Sequence, residues 1–178
     1  MQSSHATIIR LTPLTDSSLI VHWFSEEYGL LKTAAKGARR PKSPFAGMLD
    51  LFFKGEMTFQ RARRGDLHVL REVSIHQWRV GLRRDYRSTL FAAYCCQLLE
   101  AAVMPEHPEP GLHDLLNRAL DHADQQEPAM RSLTHYEREF ARLLGISHEG
   151  KEADGLLREA LGGLPASRAG LVERLYSK

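Results

Sequence analysis

The pattern of apolar and polar residues marks five short stretches of the first 80 residues as β-strands. The first two are apolar, β-branched runs, and in the other three apolar and polar residues alternate with the period of two that is typical of half-buried strands. In chain order, these stretches are residues 6–13, 18–25, 30–37, 49–60 and 67–75. Residues that favour turns separate them, as in LTDS at 14–17 and RRGD at 63–66. The pattern predicts five successive strands, with one long connection between the third and the fourth.

The alternation also assigns side chains to the faces of the predicted strands. In the third strand, Lys32 and Lys36 share one face, while Leu31 and Ala35 share the other. In the fourth strand, Gly55 falls among the apolar positions, which predicts a bulge or a sharp bend there.

From about residue 82 the apolar positions recur every three or four residues, which indicates amphipathic helices. Five helices are predicted, at residues 86–104, 111–126, 128–144, 153–161 and 167–176. Prolines at positions 105, 108 and 110 separate the first two, because proline lacks the backbone N–H that a helix interior needs.

These patterns predict an α+β protein of two domains. Residues 1–80 would form a five-stranded OB-fold β-barrel that binds nucleic acid, because many small closed barrels of this kind do so. Residues 81–178 would form an α-helical domain. For the strands, an SH3-like barrel or an open meander is the alternative.

Composition narrows the class of protein. With 178 residues, 43% of them apolar, the chain can bury one large core or two small ones. It has no run of 18 apolar residues for a membrane span. The N-terminal sequence MQSSHATIIR lacks the basic and apolar segments of a secretory signal. We therefore expect a cytoplasmic protein.

The sequence predicts no metal site, no cofactor and no enzyme activity. Its nine histidines form no ligand pattern, and the adjacent Cys95 and Cys96 suit core packing better than a tetrahedral zinc site. No phosphate-binding loop or nucleophile motif is present, so a hydrolase is the least favoured alternative.

The two halves of the chain carry opposite net charge. Residues 1–80 contain 12 Lys and Arg against 7 Asp and Glu, whereas residues 81–178 contain 12 against 15. The positive half is expected to meet a polyanion, and the negative half to form scaffold or protein contacts.

Residues 30–47 concentrate this positive charge and contain no acidic residue. Their basic residues lie on the predicted third strand and the loop after it, namely Lys32, Lys36, Arg39, Arg40 and Lys42. Since no interleaved acid can pair with them, we expect them to bind a phosphate backbone; a solvated charged face is the alternative. Four further residues could extend this basic patch: Arg10, Arg61, Arg63 and Arg64.

Two aromatic residues are candidates for stacking on unpaired bases, a contact that OB-folds use widely. Phe52 falls on the polar face of its predicted strand, and Phe45 lies in the loop with the basic residues. Trp23 shares a face with Leu19 and Val21, so we expect it in the core.

Four segments of the first half form a combination that is more specific than any one of them. They are LTDSSLIV at residues 14–21, FSEEYGL at 24–30, AKGARR at 35–40 and RGDLH at 64–68. In the second half, Tyr136-Glu137 is followed by Leu143-Leu144-Gly145. Together these residues resemble the bacterial RecO family, over most of residues 6–145.

The resemblance implies a recombination mediator with an OB-fold domain and a helical domain, associated with the bacterial nucleoid. Such proteins bind single- and double-stranded DNA and anneal complementary strands. With RecR they help to place RecA on DNA, and they contact the acidic tail of the single-stranded-DNA-binding protein. An OB-fold adaptor that binds protein, or an RNA-binding protein without annealing activity, is the alternative.

The chain departs from the family pattern towards its C-terminal end. Many relatives carry a four-cysteine zinc motif after Leu-Leu-Gly, whereas residues 146–155 here contain no cysteine, and the chain is shorter there than is usual. Thr134 and His135 precede Tyr136, where a relative can place arginine to hold the acidic tail. Three nearby arginines are candidate substitutes: Arg131, Arg138 and Arg142.

Overall fold

The computed structural model describes residues 1–176, which form five β-strands and five α-helices. The strands are β1 Gln2–Pro13, β2 Leu19–Ser25, β3 Gly29–Ala35, β4 Lys54–Gln60 and β5 Leu67–Gln77. The helices are α1 Tyr86–Ala102, α2 Pro110–Gln125, α3 Met130–Leu143, α4 Ala153–Leu161 and α5 Ser167–Tyr176, with a short 3-10 helix at Val80–Arg83 before α1. The protein is therefore α+β, as the two periods predict.

The chain folds into two compact units. One comprises Met1–Trp78 together with Val103–Pro110, and the other comprises Arg79–Ala102 together with the chain from Gly111 onward. The segment that links α1 to α2 thus belongs with the strands rather than with the helices on either side of it.

The five strands close into a barrel in the order β1-β2-β3-β5-β4, and β4 pairs with β1 to complete it. All neighbours are antiparallel except β3 and β5, which run parallel over the pairs from Lys32–Leu67 to Ala34–Val69. A closed barrel of five strands is OB-like. The predicted OB-fold is confirmed, and the open meander is wrong.

The core of the barrel comes from the alternating positions of the strands. Leu31 and Ala35 point inward, as the alternation predicts, and Trp23 is fully buried. The indole N–H of Trp23 donates to the Thr33 hydroxyl at 2.8 Å, so the one polar atom of this ring is satisfied inside the barrel.

β4 is shorter than the alternation predicts, because it begins at Lys54 instead of near Leu49. Phe52 takes a φ of 71°, in the left-handed region that a strand cannot use. Phe53 nevertheless lies in the core and Leu49 packs against it. The apolar pattern at 49–53 therefore reported burial in a turn rather than strand conformation.

The irregularity expected at Gly55 is confirmed. The pairing of β4 with β5 shifts register between Lys54 and Gly55, so that their partners are Gln77 and Ile75. A Cβ atom at Gly55 would lie 2.1 Å from the carbonyl oxygen of Ser74. Only glycine permits this close approach of the two backbones.

Glu106 fastens the Val103–Pro110 segment to the barrel. Its N–H donates to the carbonyl of Leu30 at 2.8 Å, and its carboxylate accepts hydrogen bonds from Arg61 and from His68 Nε2. The N–H of Ala62 donates to His68 Nδ1 at 3.2 Å, so the proton of a neutral His68 lies on Nε2. The hydrogen bond from Arg61 lowers the pKa of Glu106.

In the helical unit, aromatic side chains form the centre of the core, and two charged groups are buried with them. Glu137, 3% exposed, accepts from the Tyr94 hydroxyl at 2.5 Å and from Arg168 Nε at 2.6 Å. Arg79, also 3% exposed, donates to Asp121 and Asn117 at 2.8 Å. Each buried charge therefore has a partner of opposite charge, which offsets its desolvation.

Candidate nucleic-acid interface

The basic loop, defined here as residues 36–47, is a series of tight turns. Backbone N–H groups donate to the carbonyl three residues earlier at Ala38, Arg40 and Ser43, over 3.0–3.3 Å. Gly37 takes a φ of 67°, which glycine adopts without a steric penalty. The alternation predicts Lys36 in the third strand, but β3 ends at Ala35. Lys36 therefore belongs to this loop.

Three contacts hold the basic loop against the end of the barrel. The N–H of Gly37 donates to the Ser18 hydroxyl at 3.1 Å, and the N–H of Arg39 donates to the Ser17 carbonyl at 3.0 Å. Phe45, 6% exposed, inserts into the barrel core. These anchors fix the backbone of the loop, so its charged side chains project from a defined position.

Four basic side chains of this loop are exposed: Lys36, Arg39, Arg40 and Lys42. In the part of the chain that the structure describes, none of the four forms an ion pair. The exposed cations are available for an external anion, in keeping with the interpretation of this segment as a phosphate-binding surface.

Lys32 and Arg10 occupy one row across the outer face of the barrel. Arg10 lies opposite His22, and His22 lies opposite Lys32, on neighbouring strands. Arg10 Nη2 is 3.1 Å from His22 Nδ1, and Thr12 Oγ1 is 3.2 Å from His22 Nε2. Since arginine can only donate, His22 accepts at Nδ1 and donates at Nε2.

His22 is neutral in this row. Burial, together with the positive charges of Arg10 and Lys32, lowers the pKa of His22 from 6.5 to about 4. The imidazole therefore separates the two cations without adding a third charge, and a sequence search for charged residues does not find it.

Lys32 differs from the loop cations because it has an acidic partner. Its Nζ lies 2.6 Å from Asp66 Oδ2, in the turn between β4 and β5. The hydrogen bond from Lys32 lowers the pKa of Asp66. The parallel pairing of β3 with β5 brings these two residues together, which the local sequence pattern does not reveal.

The remaining three candidates have different surroundings. Arg63 and Arg64 are exposed in the β4–β5 turn, on the side of the barrel where Asp66 meets Lys32. Arg61 is paired with Glu106, donates to Gln2 Oε1 at 2.7 Å and stacks over a tyrosine ring. Arg61 thus serves the attachment of the Val103–Pro110 segment and is less available to a ligand.

The two aromatic candidates for base stacking are wrong. Phe45 and Phe52 are 6% and 4% exposed, because one anchors the basic loop and the other packs where β1 meets the turn before β4. Trp78, immediately after β5, is 44% exposed and packs against Phe53 with the two rings tilted by 46° and their centroids 5.3 Å apart. In the sequence, the position of Trp78 between the polar residues Gln77 and Arg79 was the signal that could have indicated its exposure.

In the helical unit, residues of α1, α2 and α3 line an open groove of about 390 Å³. Apolar side chains form much of its lining, namely Phe91, Leu115, Ala119 and Tyr136. Four basic or ionisable side chains also line it, namely Arg118, His122, Arg131 and His135. The combination suits an apolar ligand that carries negative charge.

Of the three candidate substitute arginines, one lines this groove. Arg131 is part of the lining, whereas Arg138 and Arg142 border a separate hollow that also contains Thr134. Arg142 is paired with Glu139 at 2.9 Å, and Arg138 lies 3.3 Å from His135 Nδ1. Arg118, on α2, was not anticipated; it carries a salt bridge to Asp114 at 2.7 Å.

Among the described residues, no group of three or more His, Cys, Asp or Glu side chains is placed to hold a metal ion. Cys95 and Cys96 are buried as free thiols in α1, and burial raises the pKa of both. Within residues 1–176, no helix is long and apolar enough to cross a membrane.

Two family models match the chain. The model described as "Recombination protein O N terminal" matches residues 1–79, and "Recombination protein O C terminal" matches residues 83–149. The first match covers all five strands, and the second covers α1, α2 and α3. Helices α4 and α5 lie beyond both.

Several curated proteins named DNA repair protein RecO are similar to this chain. The one from Listeria monocytogenes serotype 4a (strain HCC23) is 27% identical over 146 residues, which are 82% of this chain and 56% of the relative. The one from Syntrophotalea carbinolica is 32% identical over 122 residues, 68% and 47% respectively. The one from Geobacter metallireducens is 30% identical over 142 residues, 80% and 57%. This chain spans about half the length of these relatives.

Proposed function

The chain belongs to the RecO family, and we propose that it is a DNA-binding mediator of DNA repair and recombination. The observation that carries this proposal is the basic loop, whose four exposed cations have no ion-pair partner within residues 1–176. Cations that neutralise phosphates release condensed counterions from the nucleic acid, and this release supplies much of the affinity. The name of its relatives, DNA repair protein RecO, supports the same role.

The proposed DNA contact is to the sugar–phosphate backbone. Lys36, Arg39, Arg40 and Lys42 supply the main charge, and Lys32 with Arg10 continues it across the face of the barrel. Arg63 and Arg64 can reach a strand from the β4–β5 turn. Contacts to phosphates carry no sequence information, so the interaction should depend little on base identity, and both single- and double-stranded DNA should bind.

Annealing follows from the same charges without any covalent step. Two complementary strands repel each other through their phosphates, and a shared basic surface lowers that repulsion. Strands held close together then pair faster than free strands do. The protein acts in this proposal as a binding scaffold and not as an enzyme.

The partners RecR and RecA enter the proposal through family membership. In this role the chain acts with RecR to help place RecA on single-stranded DNA. Association of the purified chain with RecR, measured by analytical ultracentrifugation, tests this part separately from DNA binding.

The groove in the helical unit supports contact with the acidic tail of the single-stranded-DNA-binding protein. Phe91 and Tyr136 offer apolar surface, and Arg118 and Arg131 offer positive charge beside it. An acidic peptide with apolar end residues has the complementary chemistry. Arg131 lines this groove, so in this proposal it takes the place of the arginine that the chain lacks immediately before Tyr136.

The test is binding of the purified chain to labelled single-stranded DNA, duplex DNA and RNA of one sequence, followed by fluorescence anisotropy. We expect comparable affinity for both DNA forms, and faster annealing of complementary oligonucleotides. An adaptor that binds only protein would show no DNA affinity at moderate salt. Preference for RNA would indicate contacts to the 2′-hydroxyl, and either result would overturn the proposal.

A further inference from the structure

The turn between β4 and β5 reaches onto the face of the barrel where OB-folds hold nucleic acid. Ligands of this fold bind across the second and third strands, between the connection of strands 1 and 2 and the connection of strands 4 and 5. Lys32 lies in β3 on this face. Asp66, in the connection before β5, places its carboxylate 2.6 Å from the Lys32 ammonium.

We infer that Asp66 is an internal competitor for phosphate at Lys32, an inference that rests on the proposed binding of DNA by this barrel. A carboxylate and a phosphodiester both offer anionic oxygens to an ammonium group. The Lys32 site is therefore occupied by the protein's own anion until a nucleic acid displaces it. The cations of the basic loop have no such competitor within residues 1–176.

The exposure of the pair makes displacement feasible. The side chains of Lys32 and Asp66 are 37% and 59% exposed, and exposed ion pairs contribute little to stability because water screens them. A phosphate strand that is already held by the basic loop can therefore exchange with Asp66 at small cost. The displaced carboxylate stays near the strand and continues to repel it.

This arrangement limits affinity at one position of the surface. A mediator that brings strands together must also release the duplex it has made, and a competing carboxylate favours release. Asp66 would thus set the balance between capture and release, while Lys36, Arg39, Arg40 and Lys42 set the overall attraction.

The test compares Asp66→Asn with Glu72→Gln, which makes the same change of charge at an exposed position of β5. Binding of a labelled oligothymidine is measured by anisotropy for both variants, for Lys32→Gln, and for the Asp66→Asn, Lys32→Gln double variant. We expect Asp66→Asn to tighten binding about two- to fivefold more than Glu72→Gln, a size in line with an exposed pair. The additional gain should vanish in the double variant.

Three results would overturn this inference while leaving DNA binding intact. They are equal affinities for Asp66→Asn and Glu72→Gln, a gain that survives the loss of Lys32, and weaker binding by Asp66→Asn, which would assign Asp66 the role of orienting the turn. Circular dichroism confirms that each variant is folded. If the unaltered chain binds no oligothymidine, the proposed function itself is wrong, and the two failures are thereby distinguished.

Discussion

Arg168 of α5 donates two hydrogen bonds to the buried carboxylate of Glu137 on α3, from Nε at 2.6 Å and from Nη2 at 2.9 Å. Tyr94 donates to the same carboxylate. The pKa of Tyr94 is raised mainly by burial, and further by this hydrogen bond to Glu137. Arg168 also lies 3.4 Å from Asp154 of α4. Of the two helices beyond the family match, α5 is thus joined to α3 by a salt bridge, and α4 is joined to α5 by another.

Replacement of Arg168 by methionine should destabilise the protein by about 3 kcal/mol, because Glu137 would remain buried without its cation. Urea unfolding followed by circular dichroism measures this loss. Arg158→Met on α4, with no hydrogen bond through its side chain among the described residues, is the control and should cost far less. Equal losses for the two variants would mean that the pair contributes little.

The row of Arg10, His22 and Lys32 predicts a dependence of stability on pH. The pKa of His22 is about 4 in the folded protein against 6.5 ordinarily, so the unfolded chain binds more protons between these values. The stability associated with neutral His22 is complete above pH 6.5 and is lost as the pH falls towards 4, by up to about 3 kcal/mol. His22→Gln should make the free energy of unfolding depend less on pH between pH 4 and pH 6.5. An unchanged slope would contradict the burial of His22 between two cations.

Gly29 predicts a local cost of side-chain addition. Its φ is +67°, and a Cβ atom would lie 2.0 Å from the carbonyl oxygen of His107. Gly47 has a φ of +74° but open space around it, so Gly47→Ala should cost about 1–2 kcal/mol from the backbone conformation alone. Gly29→Ala should cost clearly more in thermal unfolding. Equal costs would contradict the close approach of the Val103–Pro110 segment to the barrel.

The groove between α1, α2 and α3 predicts a position-dependent effect on peptide binding. Arg131→Gln should weaken binding of a labelled acidic peptide with apolar C-terminal residues by about tenfold, since it removes a charge-assisted contact. Arg142→Gln makes the same change outside this groove, where Arg142 is paired with Glu139, and should have little effect. Anisotropy at constant salt separates the two. Equal effects would mean that only net charge attracts the peptide.

Much of the fold could be predicted because alternation and helical periodicity are local. β2 and β3 lie close to their predicted positions, and α4 and α5 have the predicted bounds. The start of β4 was missed because the left-handed conformation of Phe52 leaves no mark in an apolar run. The attachment of Val103–Pro110 to the barrel depends on Glu106 meeting distant partners, which periodicity does not encode.

For the candidate interface, the sequence predicted the exposed basic loop from its lack of acidic residues. It could not predict the pairing of Lys32 with Asp66, because that contact depends on the parallel pairing of β3 and β5. Nor could it show that Phe45 anchors the loop, since an aromatic residue among charges suits a buried anchor and an exposed platform equally well.

The salt dependence of single-stranded DNA binding tests the role of the basic loop most directly. Each phosphate neutralised contributes a slope of about −0.7 to the plot of log K against log salt concentration. Contact by Lys36, Arg39, Arg40 and Lys42 therefore predicts about −2.8, and a fifth contact by Lys32 about −3.5.

The decisive comparison is between two double variants that lose the same charge. One carries Arg39→Gln and Arg40→Gln in the basic loop. The control carries Lys54→Gln on β4 and Arg71→Gln on β5. We expect the loop variant to reduce the magnitude of the slope by about 1.4 and the control to leave it nearly unchanged. A slope near zero for the unaltered chain, or equal slopes for the two variants, would contradict phosphate binding by this loop.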